Sequence, residues 1–220
     1  MDSLMPDYPA AIFFDWDGTL VDTLPGLLKA HNHVRQHFSL PLWDEHEFYR
    51  QMTLSSRELY PMIYGAQSDE AIKILRTFLE QHLIEFLNPL PHAETLLRHL
   101  NVAGIPLGVV SNKRHEFILR EISHLGWGVY LQAQAGAGYA AQDKPSGAPI
   151  RKALAAINID PQRDIVWFVG DTETDMLAAK DSGCLPVLIL HGKSRPELVE
   201  KHNPAYVFED CRDLLTVFLP

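Results

Sequence analysis

Five short apolar runs constrain the fold of this chain more than any other feature of its sequence. They occupy residues 11–14, 105–110, 165–169, 185–190 and 205–208. Runs of this length, bounded by turn-forming residues, are typical of buried strands. Helical patterns separate the later runs at residues 116–123, 149–156 and 174–181. Strands that alternate with helices predict an α/β fold with a doubly wound parallel sheet.

Residues 25–87 follow a different pattern, with helical periodicity at 27–38, 58–63 and 70–86 and no strand signal. Thr23-Leu24-Pro25 precedes this region and Asn88-Pro89-Leu90-Pro91 follows it. Such punctuation is expected of a two-stranded linker. We therefore predict a core made of residues 1–22 and 89–220, with residues 23–88 inserted as an α-helical cap.

Charge and composition exclude several classes of function. The formal net charge of −9 argues against sequence-independent nucleic-acid binding, which requires lysine and arginine to neutralise phosphates. Two cysteines are too few for a disulfide framework. The first ten residues lack the layout of a signal peptide, and no apolar run approaches the roughly 20 residues that span a bilayer. We expect a cytoplasmic protein that binds neither nucleic acid nor membranes.

Two carboxylates, Asp15 and Asp17, follow the first predicted strand in the sequence FFDWDGTL. Carboxylates this close repel each other unless a cation lies between them, and Mg²⁺ prefers carboxylate oxygens. With a metal bound, Asp15 can attack a phosphorus atom, and protonated Asp17 can donate to the leaving oxygen. The alternative interpretation is a simple turn after a strand.

Three further segments carry polar groups beyond predicted strands. Ser111, in VVSNK, can hydrogen-bond phosphate oxygens, although serine here is also a common helix N-cap. Lys144 follows the glycine-containing stretch 136–143 and can clamp a phosphoryl group, unless it is an ordinary surface lysine. Asp171 and Asp175, in GDTETD, can complete a magnesium shell, while acids at a helix start also act as caps. Together these segments match a phosphoryl-transfer site.

The motifs FFDWDGTLVDT, VVSNK, DKP and GDTETD, in this order, resemble the four motifs of the haloacid dehalogenase superfamily. The inserted helices resemble that superfamily's C1-type cap, and GDTETDMLAAKDSGC is similar to its phosphoglycolate phosphatase-like members. The resemblance covers nearly the whole chain. It implies a Rossmann-like core and a Mg²⁺-dependent phosphatase of a small phosphorylated metabolite, with phosphoglycolate the best single guess. We expect a monomer or homodimer.

Carried over motif by motif, the resemblance implies a role for each site residue. Asp15 is the nucleophile and a metal ligand, and Asp17 is the acid/base whose backbone carbonyl also contacts Mg²⁺. Ser111 and Asn112 bind phosphate, and Lys144 holds both the nucleophile and the phosphate. The remaining metal ligands are Asp171 and Asp175, the latter directly or through water.

Several alternatives remain at this point. One is a phosphomutase of the β-phosphoglucomutase type, which uses the same Asp15 and Asp17 chemistry. Another is a non-catalytic binding or regulatory protein that keeps the fold, in which a complete set of site residues would catalyse no reaction. The presence of Asp17 disfavours dehalogenation, and the lack of lysine between Trp43 and Ala71 disfavours phosphonate cleavage.

The predicted cap contributes further candidates. Its segment 52–57 aligns loosely with a loop that reads the leaving group. Arg57 there can meet a carboxylate or second phosphate, or can simply be solvated. The cap histidines His31, His33, His37 and His46 lack ligand spacing and are expected to be mostly exposed. Trp16 has no assigned role.

Overall fold

The protein is described by a computed structural model that covers residues 8–51 and 54–219. Its strands are β1 Ala11–Phe14, β2 Val21–Asp22, β3 Asn88–Pro89, β4 Leu107–Arg114, β5 Ala133–Ala137, β6 Val166–Gly170, β7 Leu185–Ile189 and β8 Tyr206–Phe208. Its helices are α1 Leu24–His37, α2 Glu45–Gln51, α3 Ser56–Tyr64, α4 Ser68–His82, α5 Ala93–Val102, α6 His115–Leu125, α7 Ala148–Ala156, α8 Glu173–Ser182, α9 Pro196–His202 and α10 Cys211–Thr216.

Six strands form one parallel sheet in the order β5-β4-β1-β6-β7-β8. Side chains alternate along β1, so that Ile12 and Phe14 face the apolar cluster containing α5, α6 and α10. Ala11 and Phe13 face the opposite cluster, which contains α7 and α8. Both faces of the sheet are therefore covered by helices, as a parallel sheet requires. This confirms the predicted doubly wound α/β fold.

The segment between β2 and β3 is helical, as predicted. Helices α1 to α4 pack around an apolar cluster of their own that includes Val34, Phe48, Tyr60 and Leu75. Strands β2 and β3 pair antiparallel at the two ends of this segment. We call α1 to α4 the cap helices, and the domain boundaries at residues 23 and 88 stay a prediction.

Some elements differ from the sequence-based expectation. The strand expected at 105–110 is β4, which begins at Leu107 and continues through the SNK motif to Arg114. Strand β5 and helices α2, α5, α9 and α10 were not predicted. Ser111 accordingly lies inside a strand, and the following helix begins only at His115, so the interpretation of Ser111 as an N-cap is wrong.

Within the described ranges, no helix combines the length and the apolar character needed to cross a bilayer. The expected cytoplasmic location and oligomeric state stay predictions.

Candidate active site

The predicted site residues meet at the carboxyl edge of three adjacent strands, β4, β1 and β6. Asp15 directly follows β1, Ser111 lies within β4, and Asp171 directly follows β6. The carboxyl ends of parallel strands lie at the same edge, which is where α/β sheets bind ligands. The sheet order thus explains why residues more than 150 positions apart in sequence come together.

Three carboxylates form the centre of the site. One oxygen each from Asp15, Asp171 and Asp175 can be chosen so that all lie within 4.8 Å of one another, and all three residues are buried. Burial, followed by repulsion from Asp175, raises the pKa of Asp15 well above its usual value. The same two causes raise the pKa of Asp171 to about 6. Each shift thus combines a larger effect of burial with repulsion between neighbouring carboxylates.

Lys144 lies against this carboxylate group and is itself only 2% exposed. Its Nζ donates to Asp15 Oδ1 at 2.6 Å and to Asp175 Oδ1 at 2.7 Å. Burial alone would lower the pKa of Lys144, but the two carboxylates outweigh it and raise that pKa. Lys144 is therefore a buried cation, and its interpretation as an ordinary surface lysine is wrong.

The carboxylate group fits a hard divalent cation such as Mg²⁺. All its donors are oxygen atoms, which is the ligand type that Mg²⁺ prefers. The ion-paired cations near it are Lys144 and Arg195, whose Nη2 lies 3.3 Å from Asp171 Oδ2. Burial is the larger cause of the raised pKa values of Asp15 and Asp171, and repulsion from Asp175 adds to it despite these cations. A bound cation would relieve that repulsion.

Asp175 has two roles at the start of α8. Its Oδ2 accepts the backbone N–H of Thr172 at 3.0 Å, and the Thr172 side chain accepts the Asp175 N–H in return. This reciprocal pair is a capping box. Its Oδ1 meanwhile contacts Lys144. The capping role of Asp175 therefore uses Oδ2 and leaves Oδ1 facing Lys144 in the carboxylate group.

The turn after β1 brings Gly18 against Asp171. Gly18 has φ +85°, and a Cβ built on it would lie 2.9 Å from Asp171 Oδ2. A side chain here would be strained and would press on the carboxylate. The glycine of the DWDG motif therefore serves both the turn and the close approach to Asp171.

Asp17 is held apart from the three-carboxylate group by an ion pair with Lys113. Lys113 Nζ lies 2.6 Å from Asp17 Oδ1, and the Thr23 hydroxyl also donates to that oxygen. Lys113 in turn donates to both oxygens of Glu121 at 2.9 Å. Burial alone would lower the pKa of Lys113, but Asp17 and Glu121 raise it. The metal contact predicted for Asp17 through its backbone carbonyl stays a prediction.

Trp16, which lies between Asp15 and Asp17 in the sequence, belongs to the same hydrogen-bond network. Its ring is fully buried, and its Nε1 donates to Glu121 Oε2 at 2.6 Å. The ring also makes an edge contact with Trp127, with centroids 5.7 Å apart. Sequence reasoning missed Glu121 and gave Lys113 no role. Lys113 could have been suspected from its place in VVSNK, whereas nothing near Glu121 in sequence signals its contact.

The side chain of Asn112 positions Lys144 in this structure. Its Nδ2 donates to the Lys144 carbonyl at 2.8 Å, and its Oδ1 accepts the Lys144 N–H at 3.0 Å. Ser111 is buried, and its Oγ accepts the Lys113 N–H at 3.0 Å. The predicted contacts of Ser111 and Asn112 with phosphate stay predictions, and the amide of Asn112 is already used by the backbone of Lys144.

Arg57 lines the cavity at the site and is paired with a protein carboxylate. Its Nη2 is 3.0 Å from Asp143 Oδ1, and its side chain is 49% exposed. The Ser55 hydroxyl donates to the other oxygen of Asp143 at 2.6 Å. Of the predicted segment 52–57, residues 52 and 53 lie outside the described residues. The expected contact of Arg57 with a substrate anion stays a prediction.

One cap histidine departs from the expectation of exposure. His31 is 1% exposed, and its Nδ1 lies 3.1 Å from the hydroxyl of Tyr60. Burial, and then the charge of Arg35, lowers the pKa of His31 to about 3. The prediction was wrong for His31 because its position on α1 faces the apolar centre of the cap helices. His33, His37 and His46 are exposed, as expected.

The fold and the clustered acids define an α/β protein with an acidic site at the carboxyl edge of its sheet. A family model of the haloacid dehalogenase-like hydrolases matches residues 12–189. The chain therefore belongs to this family.

Curated relatives and solved structures agree with this assignment. The phosphoglycolate phosphatase of Escherichia coli (strain K12) is 27% identical over 229 residues, covering 93% of this chain and 90% of the relative. That of Salmonella typhi is 26% identical over the same lengths. A predicted phosphoglycolate phosphatase from Haemophilus somnus has a TM-score of 0.82 at 22% identity, covering 96% of this chain and 98% of that one. These findings confirm the prediction of a phosphatase-type hydrolase.

Proposed function

We propose that this enzyme is a Mg²⁺-dependent phosphatase that hydrolyses a small phosphomonoester through a phosphorylated Asp15. The observation that carries this proposal is the group of three carboxylates within 4.8 Å of one another, with Lys144 against it. Asp15, Asp171 and Asp175, with the backbone carbonyl of Asp17, would hold the metal. When bound, Mg²⁺ supplies positive charge that lets an anionic nucleophile approach an anionic phosphoryl group.

The first half-reaction uses Asp15, Asp17 and Lys144. A carboxylate oxygen of Asp15 attacks phosphorus, and the bond from phosphorus to the leaving oxygen breaks. Asp17 gives its proton to that oxygen, so the product leaves as a neutral alcohol. Lys144 and the Ser111 hydroxyl hold the phosphoryl oxygens and stabilise charge in the transition state.

The second half-reaction returns the enzyme to its starting state. The Asp17 carboxylate takes a proton from a water molecule, and the resulting hydroxide attacks the phosphorus of the aspartyl-phosphate. The bond between phosphorus and Asp15 breaks, which releases inorganic phosphate and the Asp15 carboxylate. Lys113, whose Nζ lies 2.6 Å from Asp17 Oδ1, orients the Asp17 side chain in both half-reactions.

Phosphoglycolate is the first individual substrate to test, because the curated relatives bear that name. The phosphomutase alternative uses the same Asp15 and Asp17 but passes the phosphoryl group to a sugar phosphate rather than to water. The names of the relatives favour hydrolysis. Phosphate release measured against sugar bisphosphate formation separates the two functions.

The test is inorganic phosphate release from a panel of phosphomonoesters, with Mg²⁺ or with EDTA. We expect release only with the metal, and a loss of at least about a thousandfold in Asp15→Asn, because the nucleophile is removed. Asp69→Asn is the matched control, since Asp69 is an exposed aspartate in the first turn of α4. Equal activity in the two variants would refute the role of Asp15.

A further inference from the structure

The site opens into a cavity of about 410 Å³ between the sheet edge and the cap helices. Asp15, Lys144 and Asp171 form part of its lining at the sheet end. A volume of this size is typical of sites that enclose drug-sized ligands, about 300 to 1,000 Å³. A phosphoryl group with a two-carbon leaving group would leave most of this space to water.

The cap side of the cavity is largely apolar. Leu24 and Leu27 from α1 and Ile72 from α4 line it, and all three are half-buried while packing against the apolar cluster of the cap helices. His31 lines it as well, and its lowered pKa keeps the ring uncharged at neutral pH. Apolar surface of this kind gains free energy when a ligand removes it from water, by about 25 cal/mol per Å².

The arginines around the cavity already have carboxylate partners. Arg57 is paired with Asp143 at 3.0 Å, and Arg114 with Glu116 at 3.0 Å. Arg76, the third arginine of the lining, contacts Glu80 at 2.6 Å and Glu116 at 3.6 Å. An anionic leaving group would have to compete with these protein carboxylates. Charge recognition therefore does not favour a compact carboxylate such as glycolate.

We propose that the leaving group of the natural substrate is an apolar alcohol whose hydrocarbon body lies against Leu24, Leu27 and Ile72. This inference rests on the proposed phosphatase function and refines its substrate class. The phosphoryl group is bound against Asp15 and Lys144, and the hydrocarbon body extends from it toward α1 and α4. Phosphoglycolate is then a poor substrate relative to phosphomonoesters of longer alcohols.

The test is a series of ethyl, butyl, hexyl and octyl phosphate, with phosphoglycolate for comparison, assayed by phosphate release with Mg²⁺. Complete burial of each added methylene is worth a factor of about four, so we expect kcat/KM to rise about twofold to fourfold per methylene until the cavity is filled. Phosphoglycolate should be hydrolysed no better than ethyl phosphate.

Two substitutions in α4 test whether the dependence of kcat/KM on chain length arises at the cavity wall. Ile72→Ser places a hydroxyl on the wall and should flatten the dependence on chain length. Ile74→Ser is the matched control, since Ile74 is half-buried on the same helix and packs against the same apolar cluster but is not part of the cavity lining. The dependence should survive in that variant.

The possible outcomes separate this inference from the proposed function. A flat series, or a strong preference for phosphoglycolate, with Asp15-dependent release would overturn the apolar leaving group and keep the phosphatase. An equal effect of Ile72→Ser and Ile74→Ser on the series would also overturn it. No release from any ester would refute the phosphatase function and this inference with it.

Discussion

Replacing Trp16 with phenylalanine would remove one hydrogen bond from the buried network in which Glu121 and Lys113 connect Trp16 to Asp17. The indole Nε1 donates to Glu121 Oε2 at 2.6 Å, and both residues are at most 1% exposed. A hydrogen bond to a charged group contributes about 1.5 to 3 kcal/mol to stability. The substitution also removes part of a buried ring, which adds a packing loss that must be separated from the hydrogen bond.

Trp167→Phe is the control variant that separates the packing loss from the loss of the hydrogen bond. Trp167 is also fully buried, but among the described residues its Nε1 has no hydrogen-bond partner. Both variants lose the same atoms from the same side-chain type, so the packing loss is shared to a first approximation. Removing an unpaired buried N–H also relieves a desolvation penalty. We therefore expect Trp16→Phe to be less stable than Trp167→Phe by at least about 1.5 kcal/mol.

The assay is urea unfolding in metal-free buffer, followed by far-ultraviolet circular dichroism because both substitutions alter tryptophan fluorescence. The free energies of unfolding are compared by linear extrapolation, after checking that the slopes agree. Two variants equal within about 0.5 kcal/mol would mean that the Trp16 to Glu121 hydrogen bond adds no net stability.

Two further predictions concern the carboxylate group. Burial and the Asp175 charge raise the pKa of Asp171 from 3.8 to about 6, so this carboxyl binds more protons in the folded metal-free protein than in the unfolded chain in this range. The contribution of Asp171 to stability should therefore fall as pH rises from about 4 to 6, so the melting temperature of the metal-free protein should fall relative to that of Asp171→Asn, and the stabilisation by Mg²⁺ should grow; parallel pH profiles of the two proteins would contradict the assignment. In Gly170→Ala, the added Cβ would lie 2.3 Å from Asp175 Cβ and displace that residue. Calorimetric titration should show Mg²⁺ affinity about tenfold weaker, with no change in Gly128→Ala, where the nearest such atom is 3.8 Å away.

Most of the sheet could be predicted because its strands carry their own signal. Residues 11–14 and 166–169 are apolar without interruption, and each precedes an acidic motif. Strand β5 has the sequence AQAGA, in which alanine and glycine show little preference for strands. It is a strand because Gly108, Val109 and Val110 of β4 pair with it. Such tertiary pairing cannot be read from five small residues.

The site residues also divide into those that could be predicted from the sequence and those that could not. Asp15 and Asp171 were predictable because each belongs to a short motif that directly follows a predicted strand, and Lys144 because it belongs to the DKP motif before a predicted helix. Glu121 was not, because its contact with Trp16 spans 105 positions and depends on how α6 packs. His31 was predicted to be exposed because a histidine in a polar sequence gives no sign of facing an apolar cluster.

The contacts between the cap and the core indicate how an enzyme with this fold can keep one phosphoryl-transfer reaction while it accepts different leaving groups. Asp143 accepts the Ser55 hydroxyl and pairs with Arg57, both from the cap segment. Its neighbour Lys144 contacts Asp15 and Asp175. The cap is thus connected to Lys144 through the side chain of Asp143, whereas the apolar side chains of its wall belong to the apolar cluster of the cap helices. Substitutions on that wall should change which alcohol is accepted and leave the attack of Asp15 on phosphorus intact.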